Sequence, residues 1–311
     1  MNYTYSPGWT TAVREVIIGA TPDEGGTRRI SYRIGGEQDL PFIGSSGHKP
    51  LIAFEICDDP AIWPEVVRCA CTKLIDRPAD WAAYADTVLR ADLIRINLTS
   101  TKRRNFSDFD GVIKTVKSIL AATSLPLLIE GSADLEIDSE VYQRCGEAGQ
   151  GERLVLGTAE AARYRSVAAA AIAYGHCVIA QSPIDVNLAK QLNILLREAG
   201  VADDRIIIDP YTGALGYGFE YTYSTMERIR FAALKGDMDL AMPLISAPSD
   251  SLTVKEVRES VYSHEAAIAW EVATSVAAAL AGAVILVVRH PGSVPPLKEA
   301  IDTLWTEKEG V

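Results

Sequence analysis

The stretch best equipped to contact a ligand runs from Asp209 to Ser224. An aspartate leads into Pro210, and Tyr211, Tyr217 and Phe219 are spaced among Gly213, Gly216 and Gly218, with Thr212, Thr222 and Ser224 adding hydroxyls. Glycine lets backbone approach a ligand closely, and N–H groups left bare near a helix start can bind acceptors. Aromatic faces beside hydroxyl and peptide groups suit a large flat ligand with an amide-fringed edge. The competing reading is a long loop whose glycines serve turn geometry alone. Further polar groups end other apolar runs: Asp58-Asp59, Asn97, Glu130, Gln181 and Arg289-His290. They offer hydrogen bonds in every sector rather than one reactive cluster.

Several familiar chemistries lack their parts. A Schiff-base aldolase needs a buried lysine at a strand end, and none of these runs ends in lysine. A phosphate-gripping barrel wants glycines and a helix N-terminus after strands seven and eight, where this chain has Ser246-Ala247-Pro248 and only Gly292. A metallohydrolase needs converging histidines or carboxylates. Of the four histidines, His48 precedes the repeating region, His176 opens a strand, and His264 falls inside an expected helix. His290 alone ends a strand, where adjacency of the first and last strands would set it beside Asp58 and Asp59. A rim imidazole held by a carboxylate or a backbone group is favoured over an acid/base pair.

Composition narrows the partners. Lys and Arg number 30 against 41 Asp and Glu, a net charge of −11, which repels phosphate backbones. No apolar stretch reaches the roughly 20 residues of a membrane span. Residues 1–11 lack the basic start and apolar centre of a secretory leader. The expectation is a cytoplasmic protein without nucleic-acid or membrane partners. Cys57, Cys69, Cys71, Cys145 and Cys177 form an odd, scattered set without a Cys-x-x-Cys. They read as reduced thiols, not disulfides or cluster ligands.

Positioning the polar run-ends requires a repeating frame. Nearly all-apolar runs occur at 51–57, 93–98, 126–130, 154–157, 177–181, 205–209, 240–245 and 283–289. Helical segments intervene at 78–90, 109–122, 138–147, 161–173, 186–198, 221–234 and 254–280, and a last one spans 296–305. Thr253 and Glu256 form a capping-box pattern at the seventh. Strands apolar on both faces and alternating with helices spell an α/β fold, a (β/α)8 barrel. An open doubly wound sheet would announce itself with a Gly-rich first turn, but here the first strand runs into Cys57-Asp58-Asp59-Pro60. Ahead of the barrel, β-rich runs at 13–20 and 28–34 flank a turn-forming stretch from Thr21 to Gly26 and read as a hairpin. A glycine-rich stretch including Gly44 and Gly47 follows. The expected domains are thus an N-terminal hairpin extension, 1–50, and a barrel, 51–311.

The run from Asp209 to Arg230, with supporting stretches at 54–58, 94–100 and 288–291, resembles the small subunit of the corrinoid iron–sulfur protein. The counterpart of that subunit in methanogens is the delta subunit of acetyl-CoA decarbonylase/synthase. The likeness extends from the hairpin to the last helix. It implies a non-catalytic barrel that pairs with a large corrinoid iron–sulfur subunit and covers the cobamide, a vitamin B12 derivative, at their interface. It also implies that the [4Fe–4S] cluster lies in that large subunit and not in this chain. In the reductive acetyl-CoA pathway of carbon fixation, the cobalt takes a methyl group from methyltetrahydrofolate through a methyltransferase. It passes that group to acetyl-CoA synthase/CO dehydrogenase. The residues expected to contact the cobamide are Asn97, Gln181, Asp209, Tyr211, Thr212, Gly213, Gly216 and Tyr217. The alternative is a pterin-dependent methyltransferase barrel, for which Asn97, Glu130, Asp209 and Arg289 would hold the pterin ring.

Overall fold

In the computed structural model, residues 8–41, 47–74, 76–259 and 263–306 are described. The glycine-rich positions 44–46 and part of the expected seventh helix lie outside them. Eight parallel strands close into a barrel. They are β3 (Leu51–Cys57), β4 (Leu93–Asn97), β5 (Leu127–Glu130), β6 (Val155–Ala159), β7 (Cys177–Gln181), β8 (Ile206–Asp209), β9 (Leu244–Ser246) and β10 (Ala283–Val288). The ring closes where β10 pairs with β3, Ile285 opposite Leu51 and Val288 opposite Phe54. Helices α1 (Glu65–Ala70), α2 (Pro78–Thr87), α3 (Phe109–Ala122), α4 (Leu135–Ala148), α5 (Tyr164–Tyr174), α6 (Val186–Glu198), α7 (Phe219–Leu234), α8 (Lys255–Glu259), α9 (His264–Leu280) and α10 (Val294–Thr306) follow the strands. The starts of α3, α4, α6 and α9 are fixed by Asp108, Asp134, Asp185 and Ser263, whose side chains accept otherwise orphaned N–H groups.

Successive strand side chains point to opposite faces, and the core divides accordingly. Ile52, Phe54 and Ile56 of β3 join the layer between barrel and helices, whereas Leu51 and Ala53 join the barrel interior. The same split recurs in β4, β5, β7, β8 and β10. The lower interior is therefore apolar, with Leu93, Leu128, Val155, Ile207 and Ile285 among its members.

The expected hairpin is present, as β1 (Val16–Ile18) paired antiparallel with β2 (Tyr32–Ile34). It floors the barrel. Val16, Ile18 and Ile34 belong to the same buried cluster as the interior residues of the strands. The buried Arg28 fastens it, with Nε 2.8 Å from Glu152 and guanidinium donors reaching the carbonyls of Thr123 and Leu120 at 2.7 and 2.9 Å.

Several expected boundaries shift by a few residues, and two of the shifts bear on the site. β9 begins at Leu244, not 240, because the Leu240 N–H closes a turn onto the Asp237 carbonyl and Pro243 has no N–H to pair. The seventh helix is divided into α8 and α9. A 3-10 turn, Pro248–Thr253, precedes α8, and the Thr253 hydroxyl donates to the Asp250 carbonyl at its end. That insertion puts His264 at the first turn of α9, at the carboxyl end of the barrel.

Candidate functional site

Strand alternation carries Glu55, Arg95, Asn97, Glu130, Gln181, Asp209 and Arg289 to the inward face above the apolar layers. They form the mouth at the carboxyl ends of the strands, where barrels of this kind gather function. Arg289 lies 3.0 Å from the fully buried Glu55 carboxylate and 3.5 Å from Asp250, with its guanidinium 4.5 Å above the Trp63 ring. Arg95 is ion-paired to Glu130. The Asn97 amide bridges the two halves, donating to Glu55 at 3.2 Å and to Glu130 at 3.3 Å, while its oxygen accepts from Thr99. Gln181 donates to Asp209 at 2.9 Å.

This crowding separates the carboxylates. Burial pushes Glu55 up, but Arg289 and Arg95 outweigh it, so its pKa falls below the usual glutamate value. Glu130 goes the other way, because burial and the nearby Glu55 charge exceed the help from Arg95. Burial likewise raises Asp209, against the Gln181 hydrogen bond and Arg95. The mouth thus holds one carboxylate fixed as an anion beside two that retain a proton more readily. Such a set can accept hydrogen bonds from ligand N–H groups and can hold or release a proton.

Above the mouth, the loop between β8 and α7 is pinned from within. Asp209 accepts the Tyr211 N–H at 2.9 Å, and the Thr222 hydroxyl donates to the Tyr211 carbonyl at 3.1 Å. These bonds hold Tyr211 at φ +64°, an uncommon conformation for a bulky residue. The Thr212 hydroxyl accepts from the Ala247 N–H at 2.9 Å and meets Ser246 at 2.8 Å. The Gly213 N–H donates to Thr222 at 3.0 Å. Gly216, at φ +76°, makes the turn that lets the Tyr217 N–H return to the Ala214 carbonyl. The outcome is display: Tyr211 and Tyr217 are each 50% exposed and Tyr221 65%. Tyr217 donates to Glu256 of α8 at 2.7 Å. Beside Tyr211 opens a cleft of about 930 Å³, walled largely by apolar groups including Pro183, Ile184 and Leu188, with Gln181 at its edge.

The expected pairing of His290 with Asp58 and Asp59 is not made. Asp58 instead accepts from Ser100, and Asp59 binds Arg103 at 2.9 Å. His290 Nδ1 accepts the Gly292 N–H, and Nε2 lies 3.0 Å from His264 Nδ1, because α9 begins later than the sequence pattern indicates. Burial and the second imidazole lower its pKa to about 4, which keeps the ring neutral. Among the described residues, no group of three or more His, Cys, Asp or Glu could hold a metal ion, and no helix is long and apolar enough to cross a membrane.

Residues 15–309 match the family described as CO dehydrogenase/acetyl-CoA synthase delta subunit. This chain belongs to that family. The delta subunit of the acetyl-CoA decarbonylase/synthase complex of Archaeoglobus fulgidus is 32% identical over 98% of the chain and 71% of its own length. The Methanopyrus kandleri delta subunit is 35% identical over 93% and 74%. Solved dihydropteroate synthases share the fold. A Yersinia pestis enzyme in complex with a sulfonamide drug has a TM-score of 0.63 at 16% identity, covering 85% of this chain and 95% of its own. A Coxiella burnetii enzyme in complex with pteroic acid has a TM-score of 0.61 at 16% identity, covering 96% and 100%.

In this delta-subunit chain the expected contact residues fall into three groups. Tyr211 and Tyr217 face outward; Asn97, Gln181 and Asp209 belong to the mouth; Thr212, Gly213 and Gly216 shape the loop. Sequence reading overlooked Glu55 and Arg95, although both stand at the inward parity of their strands. It also overlooked Glu271 of α9, a fully buried carboxylate that accepts the N–H groups of Arg289 and His290 at 2.6 and 3.1 Å.

Proposed function

We propose that this chain is the non-catalytic small subunit of a corrinoid iron–sulfur methyl carrier, acting in the cytoplasm in the reductive acetyl-CoA pathway. Its carboxyl-end face covers a cobamide held by a large subunit, which also carries the [4Fe–4S] cluster. The observation that carries this reading is the β8–α7 loop, which displays Tyr211 and Tyr217 half exposed and sets Tyr211 in the wall of an open apolar cleft. A corrin is a flat macrocycle fringed with neutral amides. Aromatic faces fit its body, and tyrosine hydroxyls and peptide groups fit its fringe. The residues present are therefore of the right chemistry for the group.

When bound, the cobalt accepts and donates a methyl group. Tyr211 and Tyr217 would pack on the macrocycle edge, while Gln181 and Asp209 hold the base of the loop that presents them. Asn97, Thr212, Gly213 and Gly216 fix the surface on which the amides rest. Both ring nitrogens of His290 are engaged inside the protein, so this imidazole would not serve as a cobalt ligand, and the bound group would remain open to the methyltetrahydrofolate-dependent methyltransferase and to acetyl-CoA synthase. Co-expression with the large corrinoid subunit tests the reading. The pair should co-purify and show the visible spectrum of a cobamide, which neither the lone chain nor Tyr211→Ala/Tyr217→Ala pairs retain as fully. Tight cobamide binding by the isolated chain, or a pair that does not form, would overturn it.

A second reading has its own observation. The mouth brings Asn97, Glu130, Asp209 and Arg289 to one end of the barrel, a set suited to the donors and acceptors of a pterin. This is the pterin-dependent methyltransferase alternative. Calorimetric titration of the isolated chain with methyltetrahydrofolate separates the two: saturable binding abolished by Asp209→Ala favours the second.

A further inference from the structure

The loop after β4 carries Lys102, Arg103 and Arg104, the one run of three consecutive basic residues in a chain of net charge −11. It follows a 3-10 turn, Thr99–Lys102, and all three side chains are exposed. Arg103 is neutralised by Asp59 at 2.9 Å. Lys102 and Arg104 make no hydrogen bond or ion pair among the described residues. Asp108, the next acid along the chain, spends a carboxylate oxygen on the Gly111 N–H at the start of α3. The Thr99–Lys102 turn directly follows β4, whose Arg95 and Asn97 are bonded to Glu130 in the mouth, so the patch stands at the mouth's edge.

Strand order gives the patch its meaning. In the closed ring, β4 and β8 stand four places apart of eight, so their following loops face each other across the mouth. One side presents Tyr211, Tyr217 and Tyr221, and the other presents two exposed cations with no hydrogen bond or ion pair among the described residues. Tyrosine and arginine are the side chains that protein interfaces enrich, and lone cations at a rim act on encounter more than on final affinity.

We propose that the Lys102–Arg104 loop is a docking patch for an acidic surface of a partner protein that straddles the mouth, steering it so that its apolar area lands on the tyrosines. The inference rests on the proposed function in one respect: the partner used to test it is the large corrinoid iron–sulfur subunit. Both side chains are exposed and make no hydrogen bond or ion pair among the described residues, so Lys102→Glu/Arg104→Glu should still fold, which a thermal melt checks before the rates are compared.

The test is the association rate of the full chain with the large subunit, at low and at high salt. The parent rate should fall steeply with salt. The double variant should associate about tenfold more slowly at low salt, and the two should converge at high salt. Lys114→Glu/Lys235→Glu, which reverses two exposed lysines elsewhere, should stay within about twofold of the parent. A complex that forms at the parent rate with the double variant overturns the inference and leaves the proposed function standing. So does an unchanged rate with less retained cobamide, which would mean that the loop grips a phosphate of the cofactor, and so does salt-sensitive self-association of the chain. No complex at any salt would sink both the inference and the proposed function.

Discussion

The two ends of this barrel are built on opposite principles. At the base, β1 and β2 press Val16, Ile18 and Ile34 onto an apolar layer from the strands, and the buried Arg28 meets one carboxylate and several backbone carbonyls. The Arg28–Glu152 pair that fastens the hairpin is almost wholly buried. At the mouth, two arginines are shared among Glu55, Glu130 and Asp250, and buried carboxylates crowd one another. The loop that follows β8 at this end displays half-exposed tyrosines. Apolar closure supports the fold at the base, whereas buried, crowded charge at the mouth comes at some expense of stability. At the mouth, burial and neighbouring charges shift the pKa values of Glu55, Glu130, Asp209 and Asp250 in opposite directions.

The largest expected effect breaks the base. Arg28→Ala would strand the Glu152 carboxylate, whose side chain is 10% exposed, without its cation. Removing one member of a buried pair costs about 3–5 kcal/mol. Urea unfolding should show that loss. A change below about 1 kcal/mol, the ordinary worth of a surface pair, would mean that the hairpin does not hold the barrel floor.

The next effect sharpens the contrast from the mouth side. Burial lifts Glu271 from 4.5 to about 7, despite the N–H groups of Arg289 and His290 that favour its ionised form. A carboxyl whose folded pKa is raised binds its proton more tightly in the native state. Its contribution to stability is full below about pH 4.5 and is lost as pH rises toward 7. At 1.36 kcal/mol per pKa unit the loss is on the order of 3 kcal/mol. Glu271→Gln, neutral throughout, should flatten that slope in denaturation curves taken across this range. An unaltered slope would show that another group carries it.

The same contrast explains what was legible in the chain. Eight apolar runs spelled the barrel, because strands packed between helices and a filled interior need apolar side chains on both faces. Yet Glu55 and Arg95 lie within two of those runs, and reading the runs as uniform hid them. Counting by two from Leu51 or Leu93 brings each to the inward face, so their signal was local parity. The His264–His290 contact had no such signal. It depends on a 3-10 turn and a short helix inserted before α9, which only the folded chain reveals. Thr212 and Gly213 stood out by residue type, but type alone could not tell that Ala247 and Thr222 already engage them.

A smaller effect tests whether that engagement matters for the face above. Thr212→Ala would leave the buried Ala247 N–H without its acceptor and Ser246 without its neighbour. An unmet buried donor costs about 1–3 kcal/mol. Cobamide retained by the assembled pair should fall by less than about tenfold, since each net hydrogen bond contributes only about 0.5–1.5 kcal/mol. Stability unchanged with cobamide lost would place the Thr212 hydroxyl on the ligand and not inside the loop.

The smallest expected effect belongs to Tyr217→Phe. The substitution keeps the ring and removes the hydroxyl that donates to Glu256 at 2.7 Å. Both partners face solvent, so stability in urea unfolding should be essentially unchanged. The trace of the change is electrostatic. The Tyr217 hydrogen bond is the foremost cause that holds Glu256 below the ordinary glutamate pKa. Its removal should let the Glu256 carboxyl titrate at higher pH, toward that ordinary value, in an NMR titration of the side chain. If Tyr217 contacts the cobamide through its ring, retention in the assembled pair should survive in Tyr217→Phe and drop in Tyr217→Ala, where the apolar area goes too. Equal loss in both variants would shift the contact from the ring to the hydroxyl. An unshifted Glu256 would mean that the loop is not tied to α8 in solution, so the ordered tyrosine face would not be a standing feature of the mouth.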